Sequence, residues 1–140
     1  MARPLMAELP EPVRALFDGA NFVHVATVLP DGAPHSVPVW ACLEGDRIAF
    51  FTQPGSRKAR NLAADPRVAL SVVDHEQPYR MAQVRGRVVE TVHGEEALAI
   101  MDRMSMRYTG KPFPVRRGIA LLVEPEHVYD LTLPFEHTPA

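Results

Sequence analysis

One segment of the 140-residue chain holds polar side chains at a spacing that suits anion binding. Ser56 follows a glycine, and Arg57 and Lys58 come directly after it at the predicted start of a helix. A helix N-terminus carries about half a positive charge, so two cations there are unfavourable unless an anion binds beside them. Free backbone N–H groups, the Ser56 hydroxyl and both cations suit one phosphoryl group. From the spacing alone, a solvated basic face that includes Arg60 is the alternative.

Other kinds of chemistry have little support in the sequence. The six histidines show no paired spacing such as His-x-His, so no metal site is expected. No Gly-x-Ser-x-Gly motif marks a nucleophilic serine. Cys42 is the only cysteine, which excludes an internal disulfide and a thiolate cluster. The formal net charge of −2, with both signs interspersed, gives no field for binding nucleic acid.

The composition predicts one globular domain that spans residues 1–140. Hydrophobic residues make up 46% of the chain and charged residues 23%, a balance typical of soluble proteins. No linker or low-complexity tract divides the chain. The longest apolar runs, such as Ile119 to Val123, are too short to cross a bilayer, and no signal-peptide pattern opens the chain. We therefore expect a cytoplasmic protein with no membrane partner.

The pattern of apolar residues predicts mainly strands, with a few helices between them. One short helix follows Pro10, a second begins at Ser56, and a third carries Ala97, Met101 and Tyr108 on its buried face. A turn is predicted at residues 43–46. The predicted strands run from Phe22 to Val28, His35 to Cys42, Arg47 to Gln53, Arg67 to Asp74, Tyr79 to Val92, Gly118 to Glu124 and His127 to Leu131.

Two residues indicate where the predicted sheet is irregular. Pro38 cannot donate to a strand ladder, so its strand belongs at an edge or a bulge. Gly86 interrupts a long strand, where a bulge or a sharp bend is expected. Six or seven short strands separated by turns favour a closed or partly closed barrel, because closure removes exposed edges.

The segment from Gly55 to Lys58, followed after its helix by Asp65 to Leu70, resembles the signature of the pyridoxamine 5'-phosphate oxidase-like superfamily. The likeness extends from Phe22 through Glu90 and returns at residues 124–129. It implies a mainly β fold, the FMN-binding split β-barrel of six to seven antiparallel strands with a few short helices. It also implies a homodimer in which two barrels share each flavin or deazaflavin cofactor.

The same resemblance implies which residues contact the cofactor. Arg57 and Lys58 match residues that hold the cofactor phosphate, with Thr52 and Ser56 assisting, while the strand from Ser36 to Trp40 lies along the ring system. Tyr79, Arg80 and Met81 would reach the cofactor from the partner subunit. With the cationic turn, the predicted cofactor-binding residues are Ser36, Val37, Pro38, Val39, Trp40, Thr52, Ser56, Arg57, Lys58, Arg60, Tyr79, Arg80 and Met81. No catalytic residue is assigned.

The chain departs from the vitamin B6 oxidases of this superfamily at two places. Those oxidases carry an arginine and a lysine in the strand that reads His35 to Cys42 here, and this chain has neither. They also clamp the substrate phosphate with a C-terminal arginine, whereas no arginine or lysine follows Arg117. We therefore expect that this protein is not a true pyridoxamine phosphate oxidase; the alternative is that Arg80, Arg85, Arg87 or Arg116 supplies the missing cation from the partner chain.

The predicted function is that of an oxidoreductase acting through a bound cofactor. The segments Pro34 to Trp40 and Tyr108 to Pro114 are most similar to actinobacterial members that use the deazaflavin F420, which makes F420 the favoured cofactor and FMN the second choice. Hydride would pass to a small, unsaturated, fairly apolar molecule, with Trp40 and Tyr79 shaping its pocket. The alternative is a non-enzymatic flavin or haem carrier on the same barrel.

Overall fold

A computed structural model describes residues 6–138 of the chain. In chain order the helices are α1 (Glu11–Asp18), α2 (Arg57–Ala64) and α3 (Gly94–Thr109). The strands are β1 (Val23–Val28), β2 (Pro34–Val39), β3 (Cys42–Glu44), β4 (Arg47–Thr52), β5 (Arg67–Val73), β6 (Arg80–Val92) and β7 (Ile119–Thr132). The structure confirms a mainly β fold with seven strands.

The seven strands pair antiparallel in the order β2-β1-β5-β6-β7-β4-β3. The two edge strands, β2 and β3, are joined through Trp40 and Ala41 alone. A flat sheet of this size would separate its edges by roughly 29 Å, at about 4.8 Å between neighbours. The connection reaches roughly 11 Å at most. The sheet must therefore curl until its edges approach each other, which gives the predicted split barrel.

The inside of the barrel is filled by apolar side chains that alternate along the strands. Phe50, Leu70 and Val84 are among the fully buried residues there. The amphipathic helix α1 adds Val13 and Phe17 to the same core. Helix α3 builds a second, smaller core on β4 and β7, with Met104 and Ala97 fully buried. This second core fixes the position of the α3 C-terminus relative to β4.

Three predicted strands differ from the observed ones for physical reasons. The strand expected from His35 to Cys42 ends at Val39, and the turn expected at 43–46 is confined to Gly45 and Asp46, because Cys42–Glu44 forms β3. The chain changes edge at Trp40 and Ala41, so neither side of this corner can continue the ladder. At the other end, the two strands expected after Gly118 form one strand, β7.

The continuity of β7 depends on the bulge predicted at Gly86. The register of β6 and β7 shifts between Arg85 and Gly86, where Pro125 lies opposite. A Cβ at position 86 would approach the Glu124 backbone oxygen to 2.1 Å, so only glycine permits this contact. Because the ladder is already interrupted there, Pro125 need not end the strand.

None of the helices between residues 6 and 138 has both the length and the apolarity to span a membrane.

Candidate functional site

A groove of about 380 Å³ lies where the end of β2, the end of β4 and the start of α2 meet. Its walls are aromatic and aliphatic, and Lys58 is the charged residue at one end. Thr52, Gln53 and Phe113 complete the wall on the side of β4 and of the segment before β7. Of the residues predicted from sequence, the groove brings together Pro38, Val39, Trp40, Thr52 and Lys58.

The aromatic wall is a contiguous set of rings built from distant parts of the chain. Trp40 stacks on Tyr108 and lies edge-on to Phe51, with centroids 5.0 and 6.1 Å apart. Phe113 lies edge-on to Phe51 at 4.9 Å and to Trp40 at 6.0 Å. Offset and edge-to-face contacts of this kind stabilise aromatic pairs beyond their burial. The groove therefore offers a flat apolar surface for a planar ring.

Tyr108 fixes the corner between β2 and β3 that carries Trp40. Its hydroxyl donates to the Asn21 backbone oxygen at 2.5 Å and accepts from the Ala41 N–H at 3.1 Å. Burial raises the pKa of Tyr108, which keeps the hydroxyl neutral and able to donate. Trp40 thus has a fixed backbone on one side and a stacked ring on the other.

The turn before α2 presents two hydroxyl groups at the helix N-terminus. Gly55 has φ +78°, a left-handed conformation that favours glycine. Ser56 is the N-cap, as predicted, and its Oγ accepts from the Ala59 N–H at 3.2 Å. The Thr52 and Ser56 hydroxyl oxygens lie 2.8 Å apart. The turn thus holds Ser56 beside the free N–H groups of the first helical turn.

Arg57 and Lys58 are half-buried at that N-terminus and lack a compensating carboxylate. Within residues 6–138, neither side chain forms a salt bridge, and the buried Arg57 Nε has no hydrogen-bond partner. Burial lowers the pKa of Lys58, because desolvation disfavours the charged form. A buried donor without a partner is unfavourable. A phosphate group at this position would satisfy the donor and neutralise both cations, so these residues fit a phosphate-bearing cofactor.

Arg60 lies away from Lys58, although it is three residues after Arg57 and so lies near it on the helix surface. Two residues advance about 200° around a helix, so Arg60 lies on the side opposite Lys58. It is exposed and lines a separate cleft of about 340 Å³ with His93 and Leu121. The structure does not bring Arg60 to the groove.

The remaining predicted residues also lie away from the groove within one chain. The Tyr79 ring packs on Phe135, with centroids 5.4 Å apart, and Arg80 pairs with Thr132 at the last residue of β7. Thr52 pairs with the first residue of β7, Ile119. The two positions are separated by roughly 40 Å along β7, at about 3.3 Å per residue.

Ser36 and Met81 face a second concave surface, on the outside of the barrel. This hollow of about 390 Å³ has a floor of small side chains that includes Ala69 and Ser71. Tyr129, at its rim, is 57% exposed. Val37 instead points to the half-buried inner side of β2, opposite Val25.

Residue patterns alone did not identify several side chains that line the groove. The sequence pattern indicates only a strand for Phe51 and Phe22, and the segment that contains Phe113 carries only the family resemblance. The one local signal was the density of aromatic residues near Trp40 and in 108–114. Among the residues that the structure describes, no group of three or more histidine, cysteine, aspartate and glutamate side chains could hold a metal ion.

Three solved structures show what the chain is similar to. A protein described as an F420 reductase is 31% identical, with 86% of this chain and 98% of that protein covered and a TM-score of 0.76. A conserved hypothetical protein from Mycobacterium tuberculosis is 22% identical, with 100% and 96% covered and a TM-score of 0.77. A heme-binding protein from Mycobacterium smegmatis is 20% identical, with 94% and 55% covered and a TM-score of 0.67. The last two similarities show the fold alone.

A search among curated proteins found no match. The sequence model of the family described as pyridoxamine 5'-phosphate oxidase matches residues 9–131. That match includes the Ser56 turn, the edge strand β2 and most of β7. Together with the split barrel, it shows that the chain belongs to the pyridoxamine 5'-phosphate oxidase family.

Proposed function

We propose that this protein is an oxidoreductase that binds F420, or FMN as the second choice, and transfers hydride to a small unsaturated organic molecule. One observation carries the proposal. Two half-buried cations, Arg57 and Lys58, lie at a helix N-terminus with no carboxylate partner among residues 6–138, beside a groove with aromatic walls. The similarity to a protein described as an F420 reductase supports the choice of deazaflavin.

The protein's own residues bind and orient the cofactor. Arg57, Lys58 and the Ser56 turn hold its phosphate, and the Trp40 corner supports its ring. When bound, the flavin or deazaflavin supplies the hydride chemistry itself. The chain need only bind the cofactor and position its ring, which explains why it needs no catalytic triad.

The charge of the groove indicates the class of substrate. Lys58 is the charged residue among the described residues that line the groove, and the cofactor phosphate neutralises it. The remaining wall is aromatic and aliphatic, with the Thr52 hydroxyl and the Gln53 amide, which favours an uncharged and fairly apolar molecule. Within residues 6–138, the groove lining includes no carboxyl or imidazole group, so we assign the proton that accompanies hydride transfer to water.

A cofactor carrier without enzymatic activity is the second candidate. The similarity to a heme-binding protein motivates it. Histidine and cysteine are absent from the described lining of the groove, and the nearby Tyr108 hydroxyl is engaged by Asn21 and Ala41, so this site offers no ready axial ligand for haem iron. If the protein is a carrier, the groove therefore fits flavin or deazaflavin better than haem.

Titration and single-turnover kinetics distinguish the two candidates. We expect purified protein to bind F420 or FMN, and to bind haem more weakly than either. The complex with reduced cofactor is then mixed with small enones, and absorbance reports reoxidation. Hydride goes to the β-carbon and a proton from water to the α-carbon, so one saturated ketone forms per cofactor oxidised. Binding without faster reoxidation than in free solution would favour the carrier, and failure to bind either cofactor would refute the proposal.

A further inference from the structure

Residues 110–118, which we call the strap, connect α3 to β7 and are held at both ends. At the start, the Ser105 hydroxyl donates to the Lys111 backbone oxygen at 2.6 Å. At the end, Gly118 packs so closely on α3 that an added Cβ would lie 2.6 Å from the Met101 Sδ atom. The strap therefore lies against α3 and does not loop freely into solvent.

The middle of the strap is held by one carboxylate of α3. Asp102 accepts from the Phe113 N–H at 3.2 Å and from both terminal nitrogens of Arg116, at 2.8 and 3.0 Å. Arg116 also donates to the Phe113 backbone oxygen at 2.9 Å. The backbone of Phe113 is thus fixed on both its N–H and its C=O side. A bidentate arginine–carboxylate pair has the directionality for this role.

The strap reaches the candidate cofactor groove from the outside. The Phe113 side chain is half-buried, lines the groove and contacts the Phe51 and Trp40 rings edge-on. The Gln53 amide, next to the Ser56 turn, donates to the Arg117 backbone oxygen. The strap is therefore tied both to the aromatic wall and to the turn that presents the cations.

An ion pair as exposed as Asp102–Arg116 contributes little to global stability, since solvent screens it. Its hydrogen bonds to Phe113 instead give it a local effect. We propose that the strap is the outer wall of the groove, that Phe113 contacts the cofactor ring, and that Asp102 is a positioning residue acting through Phe113. This inference depends on the proposed function for the identity of the groove's ligand.

A double-mutant cycle tests the inference with ligands that separate the ring from the phosphate. The dissociation constants of FMN and riboflavin, and of F420 and its phosphate-free deazaflavin chromophore, are measured for wild type, Phe113→Ala, Asp102→Asn and the double variant. Phe113→Ala should weaken both members of a pair equally, by roughly three- to tenfold. Asp102→Asn should weaken both by a smaller common factor. If Asp102 acts through Phe113, the double variant binds no more weakly than Phe113→Ala.

Trp40 is the only tryptophan of the chain, so its fluorescence reports on the wall without any ligand. Acrylamide should quench Trp40 more readily in Asp102→Asn and Phe113→Ala than in wild type. Asp65→Asn is the matched control, because Asp65 forms a similar pair with Arg67 at the far end of α2 and should leave quenching unchanged.

The binding measurements and the quenching measurements together distinguish a failure of this inference from a failure of the proposed function. If wild type binds none of the four ligands, the proposed function fails, while quenching still decides whether Asp102 holds Phe113 over Trp40. Additive losses in the double variant, or unchanged quenching in Asp102→Asn, would overturn the role of Asp102. Unchanged ring affinity in Phe113→Ala would overturn the contact between Phe113 and the ring.

Discussion

Tyr108 lies nearly parallel to Trp40, with ring centroids 5.0 Å apart and 14° between the ring planes. Its hydroxyl also joins Asn21 to Ala41. Tyr108→Phe keeps the stacked ring and removes both hydrogen bonds, so we expect a loss of about 1–3 kcal/mol in the free energy of unfolding. Urea denaturation, monitored by Trp40 fluorescence, measures this loss of stability. Thr91→Val, which removes an exposed hydroxyl outside the hollow on the barrel surface, is the control and should be neutral, and equal stability of the two variants would contradict the anchoring role.

The lowered pKa of Lys58 predicts how cofactor binding depends on pH. An ammonium group with a lowered pKa loses its proton at a lower pH than an ordinary lysine. The ratio of FMN to riboflavin affinity should therefore be highest where Lys58 is protonated and should fall as pH rises through that pKa. Lys58→Arg, which stays charged, should keep the ratio constant over the same range. A parallel fall in the Lys58→Arg protein would show that another group titrates.

We predict that the protein is a homodimer formed through the hollow on the outside of the barrel. Small residues such as Ser71 form the floor of this surface, and the exposed side chains of Tyr129 and Val73 surround it. Such an apolar surface is suited to an isologous contact between two copies. The dimer would also give Tyr79, Arg80 and Met81 a route to the partner's cofactor.

Light scattering tests this arrangement directly. Wild type should have about twice the 15.5 kDa monomer mass. Ser71→Arg should be monomeric and should bind the cofactor more weakly. Thr91→Arg adds the same charge at an exposed position of β6 outside the hollow and should remain dimeric. A monomeric wild type that binds cofactor tightly would exclude the proposed assembly.

Pyridoxamine and pyridoxine 5'-phosphate should not be substrates, although the family model carries that name. A substrate phosphate beside a phosphate-bearing cofactor needs an additional cation, usually a bidentate arginine. No arginine or lysine follows Arg117, and Arg116 and Arg87 are engaged by Asp102 and Glu126, which leaves Arg80 and Arg85 of the partner chain as the alternative source of that cation. An assay of pyridoxal phosphate formation with FMN-loaded protein should show no turnover. Rates near the ~1–10³ s⁻¹ of ordinary enzymes would refute the prediction.

Local sequence predicted the features that depend on neighbours along the chain. The Ser56 N-cap, the edge position of Pro38 and the bulge at Gly86 each follow from one residue type in a particular backbone setting. The cationic turn is of the same kind. Its spacing left open whether the cluster is a phosphate site or a solvated basic face, and the structure half-buries Arg57 and Lys58 but leaves Arg60 exposed.

Features that depend on packing across the barrel were not predictable from these patterns. The corner at Trp40 and Ala41 follows from the curl of the whole sheet, which no local pattern encodes. The aromatic wall combines Phe51 from β4 with Phe113 from the strap, and their contact depends on how α3 packs on β7. Pro125 can remain within one strand only because Gly86 lies opposite it.

The most direct test of the central claim compares a phosphate-bearing chromophore with its phosphate-free counterpart. Affinities for F420 and its phosphate-free deazaflavin, and for FMN and riboflavin, are measured in wild type and in the Arg57→Ala, Lys58→Ala double variant. The account predicts that the phosphate-bearing member loses roughly 2–5 kcal/mol of binding free energy while its counterpart is unaffected. Arg60→Ala removes a cation that lines another cleft and not the groove, and it should have little effect on either. If the double variant binds F420 and FMN as tightly as wild type does, the account is contradicted.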